Sequence, residues 1–181
     1  MKYTESFKIP FKGLEIGQHE FEFNISNKFF DLYKDSNLEL SSGELKCTVM
    51  LDKKSNLLTL DIDIDGYVDA ICDRCLDSFQ LPIESTSTIY IKIGGNVDEQ
   101  NDELIVLSED DSEFNIADYL YECICLELPI RKVHDELTTS KTKCNKEMLK
   151  KIKQLSTKNE IKNVNETDAR WDKLKNLNIN N

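Results

Sequence analysis

Between Leu45 and Ile93 apolar residues return at every second position in one segment after another, and that period limits what the chain can become. Leu45, Cys47, Val49 and Leu51 set it, Lys53-Lys54-Ser55-Asn56 interrupts it as a turn, and Leu58, Leu60, Ile62 and Ile64 resume it. Successive side chains of a strand point to opposite faces, so this spacing predicts a hairpin with one apolar face and Asp61, Asp63 and Asp65 on the other. Gly66 predicts a bend or bulge, after which Val68, Ala70 and Cys72 carry the strand into a turn. Phe79, Leu81 and Ile83, then Ile89, Ile91 and Ile93, alternate again up to Gly94-Gly95-Asn96. The three aspartates share only their spacing with a calcium loop. Ile62 and Ile64 between them mark a strand, and no twelve-residue loop closed by a glutamate follows.

The same period reaches outward. Phe7 and Ile9, then Phe21, Phe23 and Ile25, predict strands upstream, and Glu103–Leu107 reads as a short buried strand. Phe29, Phe30 and Tyr33 have helical spacing behind Ser26 and Asn27, which can cap a turn. After residue 107 the period changes. Ser108–Ser112 reads as an acidic linker, and Asn115 can cap a helix with Ile116, Leu120, Cys123 and Ile124 as its stripe, ended at Pro129. Asn145 can cap another, with Met148, Leu149, Ile152 and Leu155 inward. The reading is an α+β fold. It has a mainly antiparallel sheet of about six to eight strands over residues 2–107, with the option of partial closure into a barrel, followed by C-terminal helices. Helices are expected near 27–34, 115–128 and 145–155.

Charge divides the chain where composition does. Residues 1–130 hold 10 Lys+Arg against 27 Asp+Glu, a net −17; residues 131–181 hold 13 against 7, a net +6. This predicts an acidic β-rich domain with its closing helix over 1–130, and a basic, partly flexible helical tail over 131–181. An acidic body repels phosphate and suits a basic protein partner, whereas the tail can approach RNA. Lys146, Lys150 and Lys153 form an i, i+4, i+7 row there and are candidate phosphate contacts. No apolar run reaches the roughly 18 residues of a membrane span. Met1–Ser6 lacks the apolar core of a secretory signal, so the expectation is a cytoplasmic protein with reduced thiols.

Six cysteines occur, and one pair has chemical spacing. Cys72-x-x-Cys75 lets two sulfurs face one metal or form one disulfide, and it is half of a four-ligand zinc site. Cys47, Cys123 and Cys125 read as small buried residues. A thiol-redox site is the enzymatic alternative, but such a cysteine normally starts a helix. Here strands flank the pair, and Asp69, Asp73 and Asp77 are expected to raise the thiol pKa. No His-x-x-x-His or Glu-x-x-His pattern supports hydrolytic metal chemistry, no glycine-rich phosphate loop is present, and no small-molecule substrate is expected.

Val68-x-x-x-Cys72-x-Arg74-Cys75-Leu76-x-x-Phe79 is followed by the apolar helix ending at Leu128-Pro129 and by the closing Asp168-x-Arg170-Trp171-x-x-Leu174. This order of motifs resembles the bacterial YceD-type family of large ribosomal RNA subunit accumulation proteins. The resemblance implies a non-enzymatic cytosolic factor of ribosome assembly. It also implies a second metal-ligand cluster after the Leu-Pro step, where this chain departs from relatives and offers only His134 and Cys144. Cys72, Cys75, His134 and Cys144 could make a Cys₃His zinc site; the rival is that the pair is merely packed. Expected partners are a ribosomal or ribosome-assembly protein and, through the tail, large-subunit rRNA. Arg74, Lys146, Lys150, Lys153, Arg170 and Trp171 are the candidate contacts. A protein-interaction module unrelated to ribosomes stays open as an alternative.

Overall fold

The computed structural model describes residues 3–34, 40, 42–94, 104–134 and 143–156. The chain divides into two compact units, Met1–Asn145 and Lys146–Asn181. Residues 131–134 and 143–145 fall within the first.

That unit is built on a five-stranded sheet. Its strands are β2 (Gly17–Ile25), β3 (Gly43–Lys53), β4 (Leu57–Ile71), β5 (Ser78–Ile93) and β6 (Leu104–Leu107), in spatial order β2-β3-β4-β5-β6. The first four form a meander in which each strand pairs antiparallel with the next. β1 (Lys8–Pro10) leaves this sheet and pairs with β7 (Glu113–Asn115), a strand not anticipated in a stretch read as linker and helix cap. Helix α1 (Asn27–Phe30) runs into a 3₁₀ turn, Asp31–Tyr33, and α2 (Ala117–Leu126) follows β7.

Three expectations of the sheet need correcting. The sheet is mixed, because β6 lies parallel to β5, pairing Tyr90 with Leu104 through Ile93 with Leu107. Alternation reports which face is apolar and carries no information on a neighbour's direction; ten residues between Ile93 and Leu104 spare the chain an antiparallel turn. The sheet is also open, ending at β2 and β6, so no barrel forms. Gly66, finally, makes no bulge. The register passes through it unbroken, Leu45 on one side and Ile83 on the other. Its φ is 150°, and a Cβ there would lie 2.3 Å from the Glu44 carbonyl oxygen. Glycine is needed for close strand approach rather than for a bend.

Burial follows the alternation. Cys47, Val49 and Leu51 of β3, Leu58, Leu60, Ile62 and Ile64 of β4, and Phe79, Leu81 and Ile83 of β5 are buried. Phe7, Ile9, Phe29, Phe30, Ile116, Leu120 and Ile124 complete this core. The Phe7 ring lies 5.8 Å from that of Phe23 and 5.0 Å from that of Phe29, tying the first turn to the sheet. Each such side chain contributes roughly 1.5–3 kcal/mol when taken from water. Asn115 does accept the Ala117 N–H at 3.0 Å, but from the end of β7. β6 is only half-buried, less covered than its four apolar residues suggested.

The C-terminal helices expected after the sheet are not borne out as read. The second unit is described over one helix, α3 (Lys146–Leu155). Met148, Leu149, Ile152 and Leu155, expected inward, are not buried, because no described element covers that stripe. The stripe at 168–177 lies outside the described residues.

Candidate metal centre

The end of the β4–β5 hairpin is a six-residue connection, Cys72–Asp77, closed by a Cys72 N–H to Asp77 carbonyl bond of 2.9 Å. Inside it the Leu76 N–H returns to the Cys72 carbonyl at 2.9 Å. This tight return places Leu76 at φ 64°, a left-handed conformation unusual for a side chain of its size. Cys72 and Cys75 therefore turn to the same side, between two strands, as the spacing predicts.

A second segment is fastened to this tip. Asp73 donates its N–H to the Lys132 carbonyl at 2.8 Å and accepts the Lys132 N–H on its carboxylate at 2.6 Å. Val133 next to it is fully buried, and His134 follows with its ring centroid 4.4 Å from that of Phe79. Asp73 was read from the sequence only as one of three acids near the thiols. Its fastening role had no sequence signal beyond its position inside the Cys-x-x-Cys turn.

The four candidate ligands meet here. Cys72 Sγ lies 3.8 Å from Cys144 Sγ, Cys75 Sγ lies 3.6 Å from His134 Nδ1, and Cys144 Sγ lies 3.8 Å from the same nitrogen. All four ligand atoms fall within 4.8 Å of one another. A tetrahedral ion with metal–sulfur bonds near 2.3 Å and metal–nitrogen bonds near 2.0 Å needs edges of about 3.8 Å between sulfurs and about 3.6 Å between sulfur and nitrogen. The three short distances match those edges. The donors are also 4% exposed or less. A set that supplies all four ligands from protein and excludes water fits a structural ion, with no position left for a substrate.

The electrostatics point the same way. Burial pushes the Cys72 thiol up, but the backbone N–H groups of Cys75, His134 and Arg74, with the His134 side chain, outweigh it and bring the thiol down to about 6. For Cys72 this corrects the expectation that the neighbouring acids raise the thiol. Asp73 is turned to Lys132, and Asp69 accepts the Ser42 hydroxyl at 2.6 Å. Cys144 is pushed up to about 12, by burial and then by Cys72 and Cys75. Three thiolates cannot share this dry space unless a cation stands between them. All six cysteines are free thiols, and 3.8 Å is far beyond a disulfide bond.

Among the described residues no other candidate joins this ligand set. Cys47, Cys123 and Cys125 belong to the sheet and α2, where Cys123 Sγ approaches Ser87 Oγ at 3.2 Å. Arg74 sits half-buried in the turn itself. Lys146, Lys150 and Lys153 are exposed residues of α3. Arg170 and Trp171 lie outside the described residues. No helix among the described residues is long and apolar enough to cross a membrane.

The profile of the family described as Large ribosomal RNA subunit accumulation protein YceD matches residues 60–178, a span that holds all four ligands. No curated protein and no solved structure matches the chain.

Proposed function

The chain belongs to the YceD family, described by its role in large ribosomal RNA subunit accumulation, and from that premise we propose that it is a non-enzymatic, cytoplasmic factor of ribosome biogenesis. It supports accumulation of large-subunit rRNA by binding a basic ribosomal or assembly protein, and its basic tail adds contacts to RNA. The family match carries this reading. The charge division supports the assignment of partners, since a −17 body favours cationic protein and a +6 tail favours phosphate.

In the same reading Cys72, Cys75, His134 and Cys144 hold zinc, the ion best suited to three thiolates and one imidazole. Bound there, zinc supplies a cross-link rather than a reaction. The residues of this chain do the rest: Asp73 holds the Lys132–His134 segment against the turn, and Phe79 covers the imidazole. A redox role draws support only from the lowered Cys72 thiol, and the burial of all three sulfurs weighs against it. On α3 the row Lys146, Lys150 and Lys153 is the proposed RNA contact; Arg74, Arg170 and Trp171 are assigned to the protein partner.

Depletion of the protein tests the reading. The expected result is a fall in large-subunit relative to small-subunit rRNA, with the tagged chain co-sedimenting with large-subunit precursors. Unchanged rRNA ratios on depletion overturn it. Reversal of Lys146, Lys150 and Lys153 to glutamate should flatten the salt dependence of co-sedimentation, by up to about 0.9 in logarithmic slope per lost phosphate contact.

A further inference from the structure

β5 runs through 16 residues, yet β6 covers only its last four, Tyr90–Ile93. Over the rest its sole strand neighbour among the described residues is β4. Two bonds fix the direction of its backbone groups: the Ile93 N–H goes to Asn56 beside β4, and the Asp77 carbonyl accepts from Cys72. Odd-numbered residues thus face β4, and even-numbered ones face the open side, as the Gly94 N–H bond to the β6 residue Leu107 also shows. Pro82 obeys the same parity: its missing N–H falls on the open side, where proline blunts an edge. Beyond it Glu84, Thr86 and Thr88 present N–H and carbonyl groups with no backbone partner among the described residues.

The charge beside this edge is strongly negative. Glu84, Thr86 and Thr88 pair with Asp65, Asp63 and Asp61, whose side chains are exposed on the same outer face. Shallow hollows open there, one of about 280 Å³ lined by Asp61, Asp63, Thr86, Ser87 and Thr88. Lys46, which borders a neighbouring hollow, is already bonded to Glu22 at 2.7 Å. A strand added to β5 would lie about 4.8 Å from Thr86 and about 9.6 Å from Asp63. An extended lysine or arginine covers that reach, whereas a short or acidic side chain does not.

We propose that the open edge of β5 from Glu84 to Thr88 takes up an extended, lysine- or arginine-bearing segment of a protein partner as an added strand, with its cations over Asp61, Asp63 and Asp65. The inference rests on the reading above that the partner is a basic protein, and it names the surface and the binding mode.

The test uses the full-length chain and two synthetic peptides, alternating Lys-Val and alternating Gln-Val, each of ten residues. Amide exchange at Glu84, Thr86 and Thr88 should slow at least tenfold with the lysine peptide and stay unchanged with the glutamine peptide. Thr86→Pro, which removes the outward N–H as Pro82 does, should abolish binding, and Thr86→Val, which keeps it, should not. Asp61→Asn with Asp63→Asn should weaken binding at least threefold. No added protection at these amides overturns the proposal, and that readout stands even if Thr86→Pro fails to fold. Protection already present in the free monomer, or growing with chain concentration, also overturns it, by showing the edge occupied by this chain's own residues or by a second copy. Folded Thr86→Pro that follows large-subunit precursors as the wild type does refutes the edge while leaving the biogenesis reading intact. Wild type that follows none refutes that reading instead.

Discussion

Cys47 and Cys72 are both 0% exposed, yet their thiols are shifted in opposite directions. In the middle of β3, burial raises the Cys47 thiol to about 12, with Cys123 and Asp63 adding to it. At the hairpin tip burial also opposes ionisation of Cys72, yet the thiol falls to about 6. The difference is where the backbone N–H groups go. In the sheet they are consumed by the ladder; in the turn those of Arg74 and Cys75 are released toward the sulfur, and His134 adds another. Equal burial thus raises one thiol and leaves the other lowered, in a form suited to a metal. Burial alone says little about a cysteine.

The largest contrast should come from removing each sulfur in turn. Cys72→Ser is expected to lose the roughly one metal ion per chain by elemental analysis. It should also lose at least about 3 kcal/mol of stability, given that structural zinc in small domains is worth about 10–16 kcal/mol. Cys47→Ser should keep the metal and lose about 1–3 kcal/mol by denaturant unfolding, the cost of an unpaired buried hydroxyl. Equal metal content in the two variants breaks the contrast.

Backbone geometry gives the next effects, one in each region. Gly66→Ala sets a Cβ against the Glu44 carbonyl and the Leu45 Cα. It should cost about 3 kcal/mol in thermal unfolding, combining a forbidden φ with a backbone clash. Leu76→Gly should do the reverse. Its side chain is 66% exposed, so relief of the left-handed backbone should stabilise the metal-free fold by up to about 1 kcal/mol.

A pH series is the gentlest probe. With the metal removed, the part of stability owed to Cys72 is present above the ordinary thiol value near 9 and lost as pH falls through about 6, because the folded pKa is depressed. The part owed to Cys47 runs the other way. It is full below about 9 and lost as pH rises toward 12, because the folded pKa is raised. Urea unfolding of wild type against each serine variant separates the slopes, and slopes of the same sign refute the comparison.

Much of the sheet was legible because its code is binary. Each strand from β2 to β5 follows from alternation, and the Cys-x-x-Cys turn falls between β4 and β5 as its spacing demands. The stretch Glu84–Thr88 left a gap in that pattern, because Ser85 is buried without being apolar. β7 was invisible for a related reason: three residues offer less than two periods. Strand direction, as in β6, is set by a connection and not by a pattern. The ligand set could be proposed because thiolate and imidazole are rare, chemically specific groups, so His134 and Cys144 stood out in a polar stretch. The fastening of Asp73 to Lys132 could not, since nothing in either residue distinguishes it from a solvated charge.

The meander has a consequence in time. Every pairing from β2 to β5 joins neighbours along the chain, so the sheet's main body can assemble as soon as Ile93 is free. The strand at Lys8–Pro10 has to wait for Glu113–Asn115, and the last sulfur, Cys144, arrives 51 residues after the end of β5. At translation rates of about 5–20 residues per second that interval is about 3–10 s. During it Cys72 and Cys75 are already gathered while His134 and then Cys144 have still to be made. The nascent chain should therefore pass through a protease-resistant stage with two open thiols, and pulse-labelling of stalled chains ending before and after residue 144 would date the moment they close.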